Sequence, residues 1–200
     1  MDTHALAYLK GVLDGDGYID RSRHNPRLCL TATNKGFVQR FASMLKFLGL
    51  VPRLTEKRER HNHKKHIRFQ KYDFECALLC CRATCSPEVI DLLKNFEPLT
   101  DLEKRYYLKG FYDSEGSSCS SQNFTIWKTT GHKVKNGHKH EVRFTNKDVR
   151  KLQRIHEILN HFGINSKIYN STHYVSYLAF YKKEHYLKFF ELIWGDSKHE

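Results

Sequence analysis

The spacing of apolar residues along the chain predicts an alternation of helices and strands. Leu6, Leu9 and Leu13 recur at helical intervals and predict an N-terminal helix. Farther on, Leu28 and Leu30 alternate with polar residues and predict a half-buried strand. The elements predicted for the first half are helix 3–14, strand 27–33, helix 37–48 closed by Gly49, strands 51–57 and 66–70, and helices 73–83 and 87–95.

The second half repeats this order of elements. They are helix 101–114, strands near 121–128 and 139–145, helix 147–162, strands near 166–170 and 173–180, and a helix that ends near 194. A stretch rich in Lys and His, residues 128–139, predicts a long hairpin tip between the first two strands. Pro98 and Thr100 mark a linker, so we predict two domains, residues 1–98 and 99–200.

A repeated decapeptide relates the two halves. The ten residues that begin at Tyr8 recur from Tyr107, displaced by 99 residues. Two later landmarks follow in the same order in both halves. Thr33-Asn34-Lys35 recurs as Thr145-Asn146-Lys147, displaced by 112, and Phe47-Leu48-Gly49-Leu50 resembles His161-Phe162-Gly163-Ile164, displaced by 114. Ordered landmarks of this kind indicate two copies of one structural unit.

Both decapeptides resemble the LAGLIDADG motif of homing endonucleases, and a chain with two copies resembles the single-chain members of that family. The resemblance implies an α/β (α+β) fold of two αββαββα repeats, related by a pseudo-twofold axis, whose antiparallel, saddle-shaped sheets lie over double-stranded DNA. It also implies metal-dependent double-strand cleavage at a long, asymmetric target, leaving short 3′ overhangs. Such an enzyme would act as a monomer and be encoded in an intron or as a free-standing element.

Small residues in the motifs have a direct physical reading. Gly11 and Gly15 in the first copy, and Gly110 and Ser114 in the second, are one helical turn apart. Small residues at this spacing allow two helix backbones to approach closely. We therefore expect the two motif helices to pack against each other.

The last acid of each motif then lies at a helix C-terminus near the pseudo-twofold axis. The helix dipole and mutual repulsion disfavour the charges of Asp16 and Glu115 there, and a divalent cation would relieve both effects. Hard oxygen ligands and a phosphate substrate favour Mg²⁺, for which Mn²⁺ can substitute. The resemblance assigns metal binding to Asp16 and Glu115, with backbone carbonyls of Gly15 and Ser114 as further ligands.

Other motif positions receive weaker assignments. Asp14 and Asp113 are interpreted as structural groups at the helix ends or as water-organising groups. The resemblance places polar and basic residues that position water or stabilise charge at the scissile phosphate, and two Asn-Lys pairs stand at the matching places. These pairs, interpreted as catalytic candidates or as ordinary solvated residues, are Asn34-Lys35 and Asn146-Lys147.

A net charge of +12 predicts a polyanionic partner, and the basic residues cluster between 53 and 71. A two-stranded ribbon fits the DNA major groove, so outward-facing strand residues are the DNA-binding candidates. They are Arg27, Arg53, Lys57, His66, Arg68 and Gln70 in the first half, and Asn123, Thr125, Lys139, Arg143, Lys167 and Tyr169 in the second.

Four of the 6 cysteines lie between Cys76 and Cys85 without the paired C-x2-C spacing of zinc sites. On the predicted helix 73–83 they are interpreted as small buried hydrophobic residues, with zinc binding less favoured and the redox state open.

Composition excludes several classes of protein. A hydrophobic fraction of 40% argues against disorder, and the sequence contains neither a membrane span nor a secretory signal. We expect a soluble intracellular protein, cytoplasmic or nucleoid-associated and compatible with an organelle-encoded origin, without a membrane partner. Two alternatives remain open, namely an RNA maturase that binds intron RNA and a DNA-binding protein that does not cleave.

Overall fold

The computed structural model describes residues 2–22, 25–62, 73–126, 133–170 and 175–195. Within them, side chains are described except for residues 57–62, 73–77, 121–126 and 133–139. These ranges hold six helices and eight strands. In chain order they are α1 (Thr3–Asp14), β1 (Tyr18–Asp20), β2 (Arg27–Ala32), α2 (Lys35–Phe47), β3 (Arg53–Asn62), β4 (Asp73–Thr84), α3 (Pro87–Asn95), α4 (Asp101–Glu115), β5 (Gly116–Ile126), β6 (Lys133–Asn146), α5 (Val149–His161), β7 (Lys167–Tyr169), β8 (Ser176–Phe180) and α6 (Lys183–Trp194).

The strands form two antiparallel sheets of the same design. Their order is β1-β2-β4-β3 in the first half and β5-β6-β8-β7 in the second. The predicted α/β (α+β) architecture of two αββαββα repeats is confirmed. The predicted division between residues 98 and 99 falls between α3 and α4, and the domain boundary stays a prediction. No helix within the described ranges is long and apolar enough to cross a bilayer.

The predicted helix at 73–83 is wrong, because this segment forms strand β4. β4 lies between β2 and β3 in the sheet. Both Cys80 and Cys81 are at most 1% exposed, so both faces of the strand are covered at this point. A strand covered on both faces loses the alternation of apolar and polar residues and reads like a buried helix. The interpretation of the cysteines as buried hydrophobic residues is confirmed for Cys80, Cys81 and Cys85.

Smaller differences concern the hairpins. The short strand β1 is absent from the predicted elements, and β5 begins at Gly116, five residues before its predicted start near 121. Residues 133–139, which were predicted to lie in a hairpin tip, belong to β6, so this strand begins earlier than predicted. The predicted strand 66–70 lies outside the described residues.

Helix ends in the two halves follow the repeat. The side chains of Asn34 and Asp148 cap α2 and α5 by accepting backbone N–H bonds in the first turn. Past the other end of each helix, Gly49 and Gly163 adopt φ values of 75° and 69°. This left-handed conformation suits glycine at a helix C-terminus, and it confirms the landmark displaced by 114 residues.

Each half encloses its own core, and the motif helices lie between the two cores. The first core gathers around Leu9, Phe41 and Leu93, and the second around Phe111 and Phe144. Burial of such large apolar side chains stabilises each by about 1.5–3 kcal/mol relative to exposure. α1 packs along α4, which brings the two motif C-termini to the same end of the molecule.

Candidate functional site

The motif helices approach so closely that their glycines face backbone atoms of the partner helix. A Cβ atom added at Gly11 would lie 2.3 Å from the carbonyl oxygen of Tyr107. One added at Gly110 would lie 2.1 Å from the carbonyl oxygen of Tyr8. Ordinary contacts of a Cβ atom begin near 3.4 Å. The expected packing of α1 against α4 through small residues is confirmed.

The acids at the ends of these helices are neighbours. A Cβ atom on Gly15 would lie 2.0 Å from Ser114 Oγ and 2.9 Å from Glu115 Cγ, so the two motif ends touch. Burial, followed by the charge of Asp16, raises the pKa of Glu115 to about 7. Burial also raises the pKa of Asp16. The structure therefore brings together Asp16, Glu115, Gly15 and Ser114 as the sequence predicts.

Two side chains from the second half surround Glu115. Asn146, the last residue of β6, donates from Nδ2 to Glu115 Oε1 at 3.0 Å and to the Asp14 carbonyl oxygen at 3.4 Å. Lys151, in the first turn of α5, donates to the same carbonyl oxygen. The charge of Lys151 and the hydrogen bond from Asn146 both lower the pKa of Glu115, against the larger effects of burial and Asp16. Sequence reasoning missed Lys151.

The described residues of the first half hold no equivalent of Asn146 and Lys151. The strand registers join Tyr18 to Cys29 and Ser117 to Arg143, which fixes the structural displacement of β2 and its following helix at 114 residues. At this displacement Ala32 stands in the place of Asn146, and the buried Phe37 stands in the place of Lys151. The two acids therefore lie in chemically different surroundings.

The matching Asn-Lys pairs are two residues out of structural register, because their displacement is 112. Asn34 caps α2 by accepting from the Phe37 N–H at 3.0 Å. Lys35 lies 3.6 Å from Glu56 Oε1 with a largely exposed side chain, and no described contact joins it to either acid. For Lys147 no hydrogen bond or ion pair is formed within the part of the chain that the structure describes. Of the four candidates, only Asn146 contacts a motif acid.

The first acid of each motif accepts a hydrogen bond from a tyrosine of the other motif helix. Tyr8 Oη donates to Asp113 Oδ2 at 2.7 Å, and Tyr107 Oη donates to Asp14 Oδ2 at 2.9 Å. Arg40 adds two hydrogen bonds of 2.9 Å to Asp113. These contacts support the interpretation of Asp14 and Asp113 as structural groups.

Basic residues surround the two Tyr-Asp pairs, and the two arginines among them are related by the repeat. Lys10 forms an ion pair with Asp14 at 3.2 Å. Arg154 lies over the ring of Tyr107, 5.1 Å from its centroid, and stands 114 residues after Arg40. Sequence reasoning missed both arginines, although their common displacement is a signal that the repeat analysis could have used.

The DNA-binding candidates have varied surroundings. Arg27 forms an ion pair with Asp20. Arg143 bonds to the buried Glu141 and lies 4.6 Å from the ring centroid of Tyr177. Arg53 lies at the start of β3, and Lys167 lies over the ring of Tyr169 on β7. Candidates on strands whose side chains are not described are Lys57, Asn123, Thr125 and Lys139, and those outside the described residues are His66, Arg68 and Gln70.

The site suits a hard divalent cation held by few protein ligands. No group of three or more His, Cys, Asp or Glu side chains in the described ranges is placed to hold a metal ion. Asp16 and Glu115 repel each other, and the ends of the two motif helices that carry them are in contact. Mg²⁺ commonly binds through one or two carboxylates, with water and substrate phosphates completing its shell. The donor set at the motif ends therefore fits Mg²⁺ or Mn²⁺.

Glu115→Gln is expected to stabilise the metal-free protein at pH 8 by about 1–2 kcal/mol, after allowance for solvent screening. Because the folded pKa of Glu115 is about 7 against an ordinary 4.5, its neutral form stabilises the fold below pH 4.5. That contribution is lost as the pH rises towards 7, and glutamine keeps it. Thermal unfolding in EDTA between pH 4.5 and 8 measures the difference.

The matched control is Glu157→Gln, which removes an exposed carboxyl group from α5. A stability gain of Glu115→Gln that is the same at pH 4.5 and pH 8 would contradict the prediction. Addition of Mg²⁺ is expected to reverse the order of wild type and variant at pH 8.

Both halves of the chain are similar to a known protein family. The model of a LAGLIDADG-like domain matches residues 3–79 and 102–194, one segment in each half. A protein of Methanocaldococcus jannaschii, named only as uncharacterized, is 29% identical over 117 residues. That alignment covers 58% of this chain and 42% of the relative, so the chain spans less than half the length of this curated relative.

Solved structures of similar fold cover nearly the whole chain. A structure from work on mesophilic variants of the homing endonuclease I-DmoI has a TM-score of 0.61 at 19% identity, covering 97% of each chain. I-DmoI in complex with DNA and Mn has a TM-score of 0.61 at 18% identity, covering 96% of each chain. Full-length WhiA from Thermatoga maritima has a TM-score of 0.63 at 16% identity, covering 96% of this chain and 55% of that one. Structural matches at identities this low establish the fold alone. The family model matches most of the chain and includes both motifs, so the chain belongs to the LAGLIDADG-like domain family.

Proposed function

We propose that the protein is a site-specific DNA endonuclease that makes metal-dependent double-strand breaks at a long, asymmetric target. The observation that carries the proposal is the pair of acids, Asp16 and Glu115, held side by side where two helices of the same motif meet. A relative of the same fold, I-DmoI, is named a homing endonuclease and has been crystallised with DNA and Mn. The net charge of +12 supports a polyanionic substrate.

Each group has a role in this proposal. Asp16 and Glu115 would hold divalent cations together with the backbone carbonyls of Gly15 and Ser114. Metal ions at such a site, when bound, stabilise the attacking and leaving oxygens of an in-line phosphodiester displacement. Asn146 orients the Glu115 carboxylate through its 3.0 Å hydrogen bond. Lys151 holds the Asp14 carbonyl and supplies positive charge next to Glu115.

The test is cleavage of a plasmid library that carries random or genomic inserts, with Mg²⁺ and with EDTA. We expect cuts at one rare site that need the metal and disappear in Asp16→Asn and in Glu115→Gln. The two variants keep the size and shape of the acids, so DNA binding is expected to survive. Double-strand cutting that persists in both variants would contradict the role of the acids, and the absence of cutting with any divalent metal would contradict the nuclease.

A DNA-binding protein that does not cleave is the second candidate. The fold occurs in I-DmoI and also in WhiA, whose name carries no nuclease activity, so the fold alone does not decide between them. Binding of one DNA sequence without any cutting, equally in wild type and in Asp16→Asn, would favour this candidate. Binding of intron RNA in the same assay would favour a maturase.

Lys151→Met is expected to slow the cleavage of one DNA strand about 10–100-fold and to leave the other strand much less affected. The reason is that Lys151 lies beside Glu115, whereas the equivalent position in the first half is taken by Phe37, which is buried in the core. Removing one charged group that stabilises the charge developing in the transition state commonly lowers a reaction rate by about this factor. Supercoiled plasmid carrying the target would then accumulate as nicked circles.

Lys46→Met removes an exposed lysine from the last turn of α2 and is the control for loss of charge. Equal slowing of both strands by Lys151→Met would contradict the asymmetric role. Comparison with Lys147→Met separates the lysine that the structure places near Glu115 from the one that the sequence pattern suggests.

A further inference from the structure

Two arginines face each other on the sheet of the first half. Arg53 on β3 and Arg82 on β4 are directly opposed, and Arg82 is opposed on its other side by Cys29 of β2. The neighbours of Arg82 along β4, Cys81 and Ala83, are buried in the first core. Because side chains alternate along a strand, Arg82 and Arg53 lie on the face of the sheet opposite that core.

This arginine pair has no counter-ion within the described residues. Neither guanidinium group forms a hydrogen bond or an ion pair there, whereas nearby Arg27 is held by Asp20. Like charges directly opposite on neighbouring strands destabilise a sheet. We therefore expect the pair to cost stability in the free protein, as groups do that meet their acceptor in a complex.

The surface around the pair is concave and positively charged. Arg27, Arg53 and Arg82 line an open cavity of about 890 Å³, together with Thr55, Thr84 and the segment 49–51. Arg82 belongs to a strand with neighbours on both sides, so it stands within the sheet face and away from the sheet edges. Among the described residues that line this cavity, the charged side chains are all arginines.

The equivalent row of the second sheet is built differently. Arg143 on β6, Ala179 on β8 and Lys167 on β7 are opposed in the same way and occupy the places of Cys29, Arg82 and Arg53. Arg143 is bonded to Glu141, and Lys167 lies over an aromatic ring. The first half therefore has two opposed arginines without a described counter-ion, whereas an alanine takes the central place in the second half.

We propose that Arg53 and Arg82 form a specificity site for guanine, which restricts a guanine preference to the half-site bound by the N-terminal half. The inference rests on the proposed binding of double-stranded DNA. A guanidinium group donates two hydrogen bonds to the O6 and N7 atoms of guanine in the major groove, and a strand ribbon fits that groove. Each guanine accepts the hydrogen bonds of one arginine, so two adjacent base pairs can satisfy the hydrogen-bond donors of both arginines.

Arg82 was not among the sequence candidates, because β4 was predicted to be a helix. Phosphate is the other acceptor that arginines commonly bind, and contacts to it carry no base information. A position within the sheet face, beside uncharged Thr55 and Thr84, favours the base edges. Binding selection can separate the two.

The experiment selects bound duplexes from a pool of randomised DNA with the full chain, in the absence of Mg²⁺. Wild type is compared with Arg82→Gln, Arg53→Gln and the control Lys46→Gln, and thermal unfolding is measured for each free protein. We expect wild type to enrich guanine at one or two adjacent positions of one half-site. Each arginine variant loses about 10–100-fold of that discrimination at its own position and keeps the other positions.

The free variants are expected to unfold at the same or a higher temperature than wild type, because a like-charge contact is removed. Lower unfolding temperatures would assign the pair a structural role and overturn the proposal. Uniformly weaker binding to all sequences, with a smaller salt dependence, would assign the pair to phosphate and overturn it as well. Base preferences that are the same in wild type and in both variants would exclude contact between the two arginines and the bases, and would overturn the proposal.

The selection also separates this proposal from the proposed function. Enrichment of a sequence by wild type, with guanine lost in the arginine variants, supports the specificity site even if cleavage assays fail. Sequence enrichment that both arginine variants retain overturns the specificity site alone. The absence of any enriched sequence or bound duplex for wild type overturns both the specificity site and the DNA-directed function.

Discussion

Replacing Gly110 by alanine is expected to destabilise the protein by about 3 kcal/mol, and Gly11→Ala by a similar amount. The added methyl group at Gly110 would lie 2.1 Å from the carbonyl oxygen of Tyr8, which belongs to the backbone of α1 and cannot rotate away. The helices must separate to make room, and their separation loosens the contacts of the two motif ends. In an ordinary helix interior the same substitution would stabilise by about 0.5–1 kcal/mol.

Chemical or thermal unfolding measures this effect against a matched control. Gly36→Ala places a methyl group in the first turn of α2, where its nearest neighbours are side-chain atoms of Asn34 and Arg40 at 3.4 and 3.5 Å. We expect Gly36→Ala to be neutral or stabilising, while Gly11→Ala and Gly110→Ala lower the melting temperature by roughly 6–12 °C. Alanine at 110 with wild-type stability would show that the helices can shift at little cost. Since the acids are held by the same helices, cleavage is expected to fall with stability.

The sequence allowed the central helix pair to be predicted because its signal is local and doubled. Glycines recur in both copies of one decapeptide, so each helix carries the small residues that a close backbone contact requires. The structure places Gly11 and Gly110 beside the partner backbone. The residues at the C-terminal cap, Gly49 and Gly163, were predicted from the repeat for the same reason.

Strand β4 shows where such signals fail. Leu79, Cys80 and Cys81 form an apolar run at the place where β4 is covered on both faces, and such a run has neither period 2 nor period 3.6. The wrong helix also hid Arg82, because only the strand register places it opposite Arg53.

The surroundings of the two acids depend on contacts that are distant in sequence. Lys151 reaches a carbonyl oxygen 137 residues away, and this contact depends on where the start of α5 is placed relative to the end of α1. The matching Asn-Lys pairs gave the wrong pairing, because equal triplets can be two residues out of structural register. Strand registers, which follow from the folded sheets, were needed to identify Ala32 as the counterpart of Asn146.

Arg40→Met is expected to destabilise the protein by about 3 kcal/mol, because it leaves the carboxylate of Asp113 without its cation. The Asp113 side chain is 3% exposed and receives two hydrogen bonds from Arg40 and one from Tyr8. Methionine preserves most of the aliphatic length, so the loss reports on the charge rather than on packing. A buried carboxylate with one remaining donor is far less stable than the intact pair.

A double-mutant cycle separates the interaction from the individual losses. Asp113→Asn keeps an oxygen that can accept from Tyr8 and removes the charge, so Arg40→Met is expected to cost less than about 1 kcal/mol in that background. The control is Arg150→Met, whose ion pair with Asp148 lies on the surface with the arginine 88% exposed. We expect that substitution to leave the stability close to that of wild type, because solvent screens a surface ion pair. Equal losses for Arg40→Met with and without the charge at 113 would show that Arg40 acts by packing against Trp194. A large coupling would show that this ion pair, which joins α2 of the first half to the motif helix α4 of the second, stabilises the contact between the two halves through its charge.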